Sequence, residues 1–172
     1  MVINCAGQPA FGPVETLDQK TLEELFAVHV FGSLNVIQAT LDTLKKQKGV
    51  IVTISSFLGS YALPYLGALG AAKAAINALT QSLRVELKDR GVAVLLYGPP
   101  QTRTPFTGDR SKGRFASAEE VAIHLIRMIE KRKREGVKGR FFKIMNFVAP
   151  KALDALFFKA MVVKKDPRKG PF

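Results

Sequence analysis

The sequence is poor in the residue types that form disulfides and metal centres. It contains one cysteine, Cys5, two histidines and no tryptophan in 172 residues. A single cysteine cannot form an intramolecular disulfide, so we expect a reducing compartment such as the cytoplasm. We expect no metal site, because no group of cysteines and histidines has the spacing of zinc ligands. His124 has no partner in the sequence pattern and is interpreted as structural.

Long apolar runs are also missing. No run approaches the ~20 apolar residues that a membrane-spanning helix needs. Residues 1–7 lack the basic leader that is typical of a signal peptide. The composition is 47% hydrophobic and 23% charged, which is usual for a globular protein, and the length suits one domain.

Acidic residues are scarce in the last third of the chain. Lys and Arg number 26 against 14 Asp and Glu, and residues 127–172 hold 14 of the basic and 4 of the acidic residues. Residues 151–172 are predicted to form an amphipathic helix with a basic tail. Its segment 151–169 either contacts a membrane surface, which would make the protein peripheral, or docks on its own domain or a second subunit. Nucleic-acid binding is not expected, because the basic run 131–134 has no aromatic platform or recognition helix beside it.

Alternating strands and helices are predicted from the apolar periodicity. Buried strands are predicted at 2–4, 50–56, 92–97 and 141–147. Helices are predicted at 18–48 and 65–90, and a third begins at the capping box of Ser117. This alternation is typical of an open parallel sheet with right-handed crossovers. The predicted fold class is therefore α/β, a partial doubly wound parallel sheet of about four strands in residues 1–150.

A serine and a lysine stand at a defined spacing around the second predicted strand. The strand ends in Ser55-Ser56, and the small-residue helix that follows carries Lys73. This segment resembles the catalytic segment of the short-chain dehydrogenase/reductase family, which has a serine followed by Tyr-x-x-x-Lys. Ser56 and Lys73 match that pattern, whereas Leu69 stands at the tyrosine position. The resemblance implies a Rossmann-like domain, NADP or NAD as cofactor, and hydride transfer between nicotinamide and a carbonyl or alcohol.

The substitution at the tyrosine position predicts weak or absent activity. In the family, the serine hydroxyl hydrogen-bonds the carbonyl oxygen, the tyrosine protonates it, and the lysine lowers the pKa of the tyrosine and holds the ribose. Ser56 and Lys73 can still act in these ways, but Leu69 has no O–H group. General acid catalysis contributes ~10²–10⁴-fold, so we expect a pseudoenzyme or a poor enzyme. Tyr65, one turn earlier, is a candidate replacement donor, although Pro64 favours a loop position for it.

Two further segments resemble the cofactor-binding parts of the family. Asn4, Ala6 and Gly7 match its Asn-Asn-Ala-Gly turn beside the cofactor, with Cys5 at the second asparagine. His29 stands where the family has an asparagine that holds a water of the proton relay. A hydrogen-bonding role and a simple packing role are both open for this histidine.

The loop after the third predicted strand resembles one subgroup. Pro99, Pro100, Thr102 and Thr104 correspond to the family loop that approaches the nicotinamide. The double proline with two threonines looks most like the subgroup that reduces 3-ketosphinganine. The resemblance implies a lipid ketone as substrate.

The glycine-rich phosphate loop of the family is not found at the start of the sequence. No Gly-x-x-x-Gly-x-Gly follows a strand there, and the resemblance begins at the family's fourth strand. We therefore expect that this chain alone binds a dinucleotide poorly. Two alternatives stay open: a non-catalytic partner that dimerises with an intact relative through helices 18–48 and 65–90, and a truncated gene product without a function of its own.

Overall fold

Four parallel strands form the sheet on which the rest of the domain is built. The computed structural model describes residues 1–61, 63–107, 115–131 and 135–137, together with Asp154. The strands are β1 (Val2–Asn4), β2 (Val50–Ile54), β3 (Ala93–Gly98) and β4 (Glu135–Val137), and they lie side by side in that order. Each neighbouring pair is parallel. The predicted α/β class with a parallel sheet is confirmed.

One strand of the described sheet, β4, was not predicted from the sequence pattern. β4 pairs with the end of β3 through Leu96 and Glu135, in a segment that was not predicted as a strand. The strand predicted at 141–147 and the helix and tail predicted at 151–172 lie outside the described residues, apart from Asp154. The carboxylate of Asp154 accepts a hydrogen bond from the Tyr61 hydroxyl at 2.9 Å.

The helix predicted at 18–48 is one continuous helix with a wider turn inside it. It consists of α1 (Gln19–Phe26), a π-helical segment (Ala27–Gly32) and α2 (Ser33–Lys46). Asp18 caps its start by accepting a hydrogen bond from the Thr21 amide at 2.8 Å. A π segment inside an α-helix often marks a functional position, because it changes which side chains face inward.

The same helix is long and apolar enough to be compared with a membrane-spanning helix, although it contains no uninterrupted apolar run of that length. By length and composition alone, Gln19–Lys46 would suffice, with a mean hydropathy of 1.2 in its most apolar window. Only 22% of that window is buried in the domain. A core helix of a soluble protein passes the same test, so this feature does not assign the helix to a membrane.

The helix predicted at 65–90 is shorter at both ends. α3 runs from Gly67 to Glu86, and a tight turn at Lys88–Arg90 follows it. Tyr65 has φ of 64°, a left-handed conformation that cannot continue an α-helix. Gly91, at φ 75°, ends the segment as its position predicts. A further helix, α4 (Ala118–Glu130), begins at the capping box of Ser117 as predicted.

Strands β2 and β3 are covered by helices on both faces, and this explains why they contain so few polar residues. On one face Ile51 and Val94 pack with side chains of α2 and α3, whereas on the other Val52 and Leu95 pack with Met128 of α4. A sheet that is covered on both sides needs apolar residues at successive positions. The sheet is therefore a rigid layer whose carboxyl-terminal edge can hold a site.

A polar seam joins α3 to the end of β2. The Lys73 ammonium donates to the Ile54 carbonyl at 3.0 Å, and the Thr80 hydroxyl donates to that of Thr53 at 3.2 Å. Between them, the Ser55 hydroxyl donates to the Asn77 amide oxygen in a short hydrogen bond. The three helix positions lie on one face of α3, because they are spaced by three or four residues.

We predict that Gly59→Ala destabilises the fold. The turn Phe57–Gly59 packs so closely on α3 that a Cβ at Gly59 would lie 2.7 Å from the Lys73 carbonyl oxygen. Backbone atoms of a helix cannot yield as a flexible side chain does, so we expect a loss of about 1–3 kcal/mol in unfolding free energy by urea titration. Gly12→Ala is the matched control, since no atom lies within 4 Å of its Cβ position. Equal stabilities for the two variants would contradict the packing described for this turn.

Candidate functional site

A cavity of about 460 Å³ opens where β2 and β3 end. Ligands of open parallel sheets bind at the carboxyl ends of the strands, so this is the expected place for a site. Most of the predicted site residues line it, namely Gly7, His29, Ser56, Leu69, Lys73, Pro99, Pro100, Thr102 and Thr104. Asn4, Ala6 and Tyr65 are not among the lining residues. The structure thus brings together in one cavity segments that are far apart in the sequence.

Ser56 lines the cavity and lies two residues after the end of β2. Its Oγ accepts a hydrogen bond from the Leu58 amide at 3.2 Å and so caps the turn that follows. That contact uses the oxygen as an acceptor and leaves the hydroxyl hydrogen for a ligand. The neighbouring Ser55 instead donates its hydrogen to Asn77. Of the two serines, Ser56 is the one that can hydrogen-bond a carbonyl oxygen in the cavity.

Lys73 is a buried cation that also lines the cavity. Its side chain is 8% exposed, and its one described hydrogen bond goes to the Ile54 carbonyl. Desolvation by burial lowers the pKa of Lys73 to about 8. An ammonium group has three N–H donors, so two remain for a ligand after the bond to Ile54. Hydroxyl groups of a ribose are suitable acceptors for such donors.

Leu69 fills the position one helical turn before Lys73. It is 3% exposed and packs with Leu66 and Ala72, so its side chain forms part of the apolar wall. Tyr65 precedes the helix, and its carbonyl accepts a hydrogen bond from the Gly12 amide at 2.9 Å. The structure therefore places Tyr65 in the loop that Pro64 predicts and outside the cavity lining.

His29 enters the cavity from the π segment. It is 2% exposed, and its Nε2 lies 3.0 Å from the Gln8 carbonyl oxygen. Its Nδ1 is buried and has no hydrogen-bond partner in the described part of the chain. Burial lowers the pKa of His29 and outweighs the opposing effect of the hydrogen bond to Gln8, and the charge of Lys73 also lowers it, so the neutral ring is favoured at pH 7. Gly7 lies against this ring, since a Cβ there would be 2.6 Å from Cε1.

Sequence reasoning missed a tyrosine–histidine pair behind the cavity. Tyr97 lines the cavity, and its hydroxyl lies 3.1 Å from Nδ1 of His124 on α4. His124 therefore has the partner that the sequence did not show. Burial raises the pKa of Tyr97, so its phenol stays protonated at neutral pH. A tyrosine at the end of a buried strand could have indicated a polar contact near the cavity. Its partner could not be predicted, because that depends on how α4 packs on β3.

Apolar side chains form most of the remaining wall, and sequence reasoning missed them as well. They come from loops and from α4, and they include Phe11, Phe57, Leu66, Phe106, Phe115 and Leu125. The sequence indicated an aromatic wall only through its composition, which has twelve phenylalanines and no tryptophan. The cavity suits a ligand with a large hydrocarbon part.

The residues present fit the nicotinamide end of a dinucleotide. Lys73 offers two N–H donors, and Ser56, Gly7, Pro99 and Thr102 line the same cavity. No group of three or more His, Cys, Asp or Glu side chains that could hold a metal ion occurs among the described residues. The turn after β1, Cys5-Ala6-Gly7, is not glycine-rich.

We predict that Lys73 makes stability increase with pH in the alkaline range. Its pKa is about 8 in the folded state and near 10.5 when unfolded, so between these values the unfolded chain binds more protons and folding is favoured as pH rises. Lys73→Met removes a penalty of about 3 kcal/mol at pH 7, partly offset by a lost hydrogen bond of about 1 kcal/mol. Urea unfolding at pH 7 and 10 checks both the gain and the flatter pH profile.

Lys20→Met is the control for that experiment, because Lys20 is exposed. Its pH profile should follow that of the unchanged protein. A Lys73→Met variant with the same pH profile as the unchanged protein would show that Lys73 is charged without penalty in the folded state.

Comparisons with known proteins agree with this site. A family model described as short chain dehydrogenase matches residues 1–114. A 3-amino-tetrahydro-pyrrolizinone reductase of Xenorhabdus hominickii is 41% identical over 104 residues, which are 60% of this chain and 36% of that protein. A 3-ketodihydrosphingosine reductase of Mus musculus is 34% identical over 113 residues, 65% of this chain and 34% of that protein. The chain thus spans about a third of the length of these curated relatives.

A solved structure shares the fold over most of the chain. A short chain dehydrogenase from Burkholderia cenocepacia J2315 in complex with NADP superposes with a TM-score of 0.80 at 26% identity, and the match covers 90% of this chain and 67% of that one. The family model covers more than half of the chain, including β1 to β3 and the segment from Ser56 to Lys73. The chain therefore belongs to the short-chain dehydrogenase/reductase family, whose cofactor is NAD or NADP.

Proposed function

We propose that the chain carries the substrate-binding and nicotinamide-binding part of an NAD(P)-dependent oxidoreductase for a lipid ketone or its alcohol, and that it is weak or inactive in this form. One observation carries the proposal: Ser56, Lys73 and Leu69 line the same cavity. Two of the three chemical groups of a carbonyl reductase are present, and the proton donor is replaced by a hydrocarbon side chain.

The residues of the chain would divide the work as follows. A bound nicotinamide supplies or accepts the hydride. Ser56 donates a hydrogen bond to the carbonyl oxygen and stabilises the charge that develops on it. Lys73 holds the ribose with its two remaining N–H donors. Leu69 excludes water from the place where a proton is needed, so an alkoxide formed there would lack a donor.

A lipid ketone is favoured by the walls of the cavity. Phenylalanine and leucine side chains surround the polar end formed by Ser56, Lys73 and His29. The name of one relative, a 3-ketodihydrosphingosine reductase, supports a long-chain substrate for this chain too. A cytoplasmic protein with its basic segment 151–169 on a membrane surface would meet such a substrate where lipids reside.

We predict that Leu69→Tyr alone gives little activity at micromolar NADPH. The substitution restores a phenol one turn before Lys73, but it does not create a phosphate-binding loop. Leu69→Phe is the matched control, since it has the same ring without the hydroxyl. Oxidation of NADPH with a long-chain aliphatic ketone is followed by absorbance, and binding is measured by calorimetry.

At millimolar NADPH the tyrosine variant should exceed the phenylalanine variant by about 10²-fold, because a general acid contributes at least that much. Saturable micromolar binding of NADPH, or robust turnover by the unchanged protein, would contradict the proposal of a weak or inactive form.

A second candidate function is a non-catalytic dimer partner. The outer faces of the two long helices expose apolar side chains, with Phe31 at 56% and Val85 at 74% exposure. Along α3 the exposed residues Ala71, Ala74 and Ala78 form a small-residue face that allows another helix to approach closely. These surfaces support an interface with a second copy or with an intact relative. The alternative of a chain without any function of its own stays a prediction.

We predict that a charge on this face prevents self-association. Ala74→Arg should convert a dimer into a monomer in size-exclusion chromatography with light scattering, because burying an unpaired charge is costly. Ile126→Arg, which changes an exposed apolar residue on α4, is the control and should leave the dimer intact. A monomeric unchanged protein at high micromolar concentration would rule out the homodimer.

A further inference from the structure

The surroundings of Lys73 are those that make an amine nucleophilic. Among the lining residues that the structure describes, none is an Asp, Glu or Arg, and no second Lys occurs. The described part of the chain also places no carboxylate within ion-pair distance of its Nζ. From this placement we propose that Lys73 is a covalent attachment site, where its amine forms a Schiff base with a long-chain aldehyde held by the apolar walls. The proposal goes beyond the proposed function, because it needs neither hydride transfer nor a dinucleotide.

Burial is what makes this amine reactive. The Lys73 side chain is 8% exposed, and its one described hydrogen bond runs from Nζ to the Ile54 carbonyl at 3.0 Å. Desolvation lowers the pKa of Lys73 to about 8, whereas a lysine in water titrates near ~10.4. At pH 8 Lys73 therefore holds on the order of 100-fold more free amine than a surface lysine. Lysines desolvated in apolar pockets are activated in this way for Schiff-base formation with carbonyl compounds.

The groups around the amine do not hold it in the charged form. Leu69, one turn earlier, is a hydrocarbon side chain and gives Lys73 neither a hydrogen bond nor a charge. The other titratable residues among the described lining are Cys5, His29 and Tyr97. The neutral form of His29 is favoured at pH 7, and burial keeps the Tyr97 phenol protonated by raising its pKa. A charge on Cys5 raises the pKa of Lys73, but desolvation outweighs it.

The reaction balances without an oxidant or a reductant. The neutral Nζ attacks the carbonyl carbon, a C–N bond forms, and a proton passes from the nitrogen to the oxygen. The C–O bond of this carbinolamine then breaks, and the oxygen leaves as water with both amine hydrogens, so that a C=N bond remains. Ser56 lines the same cavity and can donate a hydrogen bond to the oxygen while negative charge develops on it. The carbonyl carbon ends bonded to the protein, which distinguishes this step from reduction to an alcohol.

The walls select the hydrocarbon part of the aldehyde. Phe11, Leu66, Phe106 and Leu125 line the cavity of about 460 Å³, a volume typical of sites for small organic molecules. An aliphatic chain covered by these walls increases the local concentration of the aldehyde at Nζ, because burial of apolar surface drives binding. A long-chain aldehyde should therefore react with Lys73 more selectively than a short one.

The test uses the full chain without dinucleotide and two aldehydes, octanal and propanal. Sodium cyanoborohydride reduces each imine to a stable secondary amine, and peptide mapping by mass spectrometry measures the labelling rate at each lysine. At pH 8 octanal should label Lys73 at least about tenfold faster than the exposed Lys20, because far more of the Lys73 amine is free. Propanal should show a smaller ratio, since the walls hold it less.

The pH profile of labelling gives a second readout. The rate at Lys73 should level off above its pKa of about 8, where the amine is already free. The rate at Lys20 should continue to rise up to about pH 10, as for a lysine in water.

Two variants separate the amine from the other groups of the cavity. Lys73→Arg keeps a cation but has no reactive amine, so octanal labelling of this peptide should disappear. Cys5→Ser should keep the rate at Lys73, because addition of a thiol gives a hemithioacetal that cyanoborohydride does not trap. Circular dichroism verifies that each variant is folded, and if Lys73→Arg does not fold, the peptide map and pH profile of the unchanged protein decide.

Octanal labelling of Lys73 no faster than that of Lys20, or equal selectivity of octanal and propanal, would overturn the proposal. A rate at Lys73 that rises up to pH 10 as at Lys20 would do the same. These outcomes are distinct from a failure of the proposed function, which would appear as micromolar NADPH binding or ketone reduction by the unchanged protein.

Discussion

The contact between α3 and the end of β2 determines where Ser56 and Lys73 lie relative to each other. Lys73, Asn77 and Thr80 face Ile54, Ser55 and Thr53 along this seam. Buried polar groups are costly unless they are paired. Three pairs in a row therefore fix the rotation of α3 about its axis and its position along β2. That placement brings Ser56, which follows the strand, to the same cavity as Lys73, which follows Leu69 on the helix. Without these three hydrogen bonds, Ser56 and Lys73 would no longer be held in the same cavity.

The seam also explains which parts of the site were predictable. Ser56 and Lys73 belong to one strand–turn–helix unit, so their spacing in the sequence is enough to place them. Strands β2 and β3 were predictable because burial on both faces requires successive apolar residues. The pairing of Tyr97 with His124 depends on how α4 packs on β3, and no local pattern encodes that. The π segment around His29 also has no propensity signal, and the contacts of His29 with Gly7 and Gln8 join parts of the chain that are about 20 residues apart.

The early start predicted for α3 has a comparable reason. Tyr65 fits the apolar periodicity of the helix, yet its carbonyl bonds to the Gly12 amide and its backbone is left-handed. A contact with a distant loop thus outweighs local periodicity. This difference matters for function, because it keeps the phenol of Tyr65 out of the cavity lining.

The chemistry of the cavity follows from one substitution and its surroundings. With leucine where the family pattern has tyrosine, the polar end of the cavity retains a hydroxyl at Ser56, a weakly basic lysine and a neutral histidine. Such a set can bind and polarise an oxygen atom more readily than it can protonate one. Most of the remaining wall is apolar, which suits a ligand with a large hydrocarbon part.

The most direct measurement is a crystal structure of the chain with NADP and a long-chain ketone. We predict that the ketone oxygen lies within hydrogen-bond distance of Ser56 and that Leu69 covers its other side, with no phenol or carboxylic acid in contact with the oxygen. A phenol, carboxylic acid or ordered proton-relay water in contact with that oxygen would contradict it.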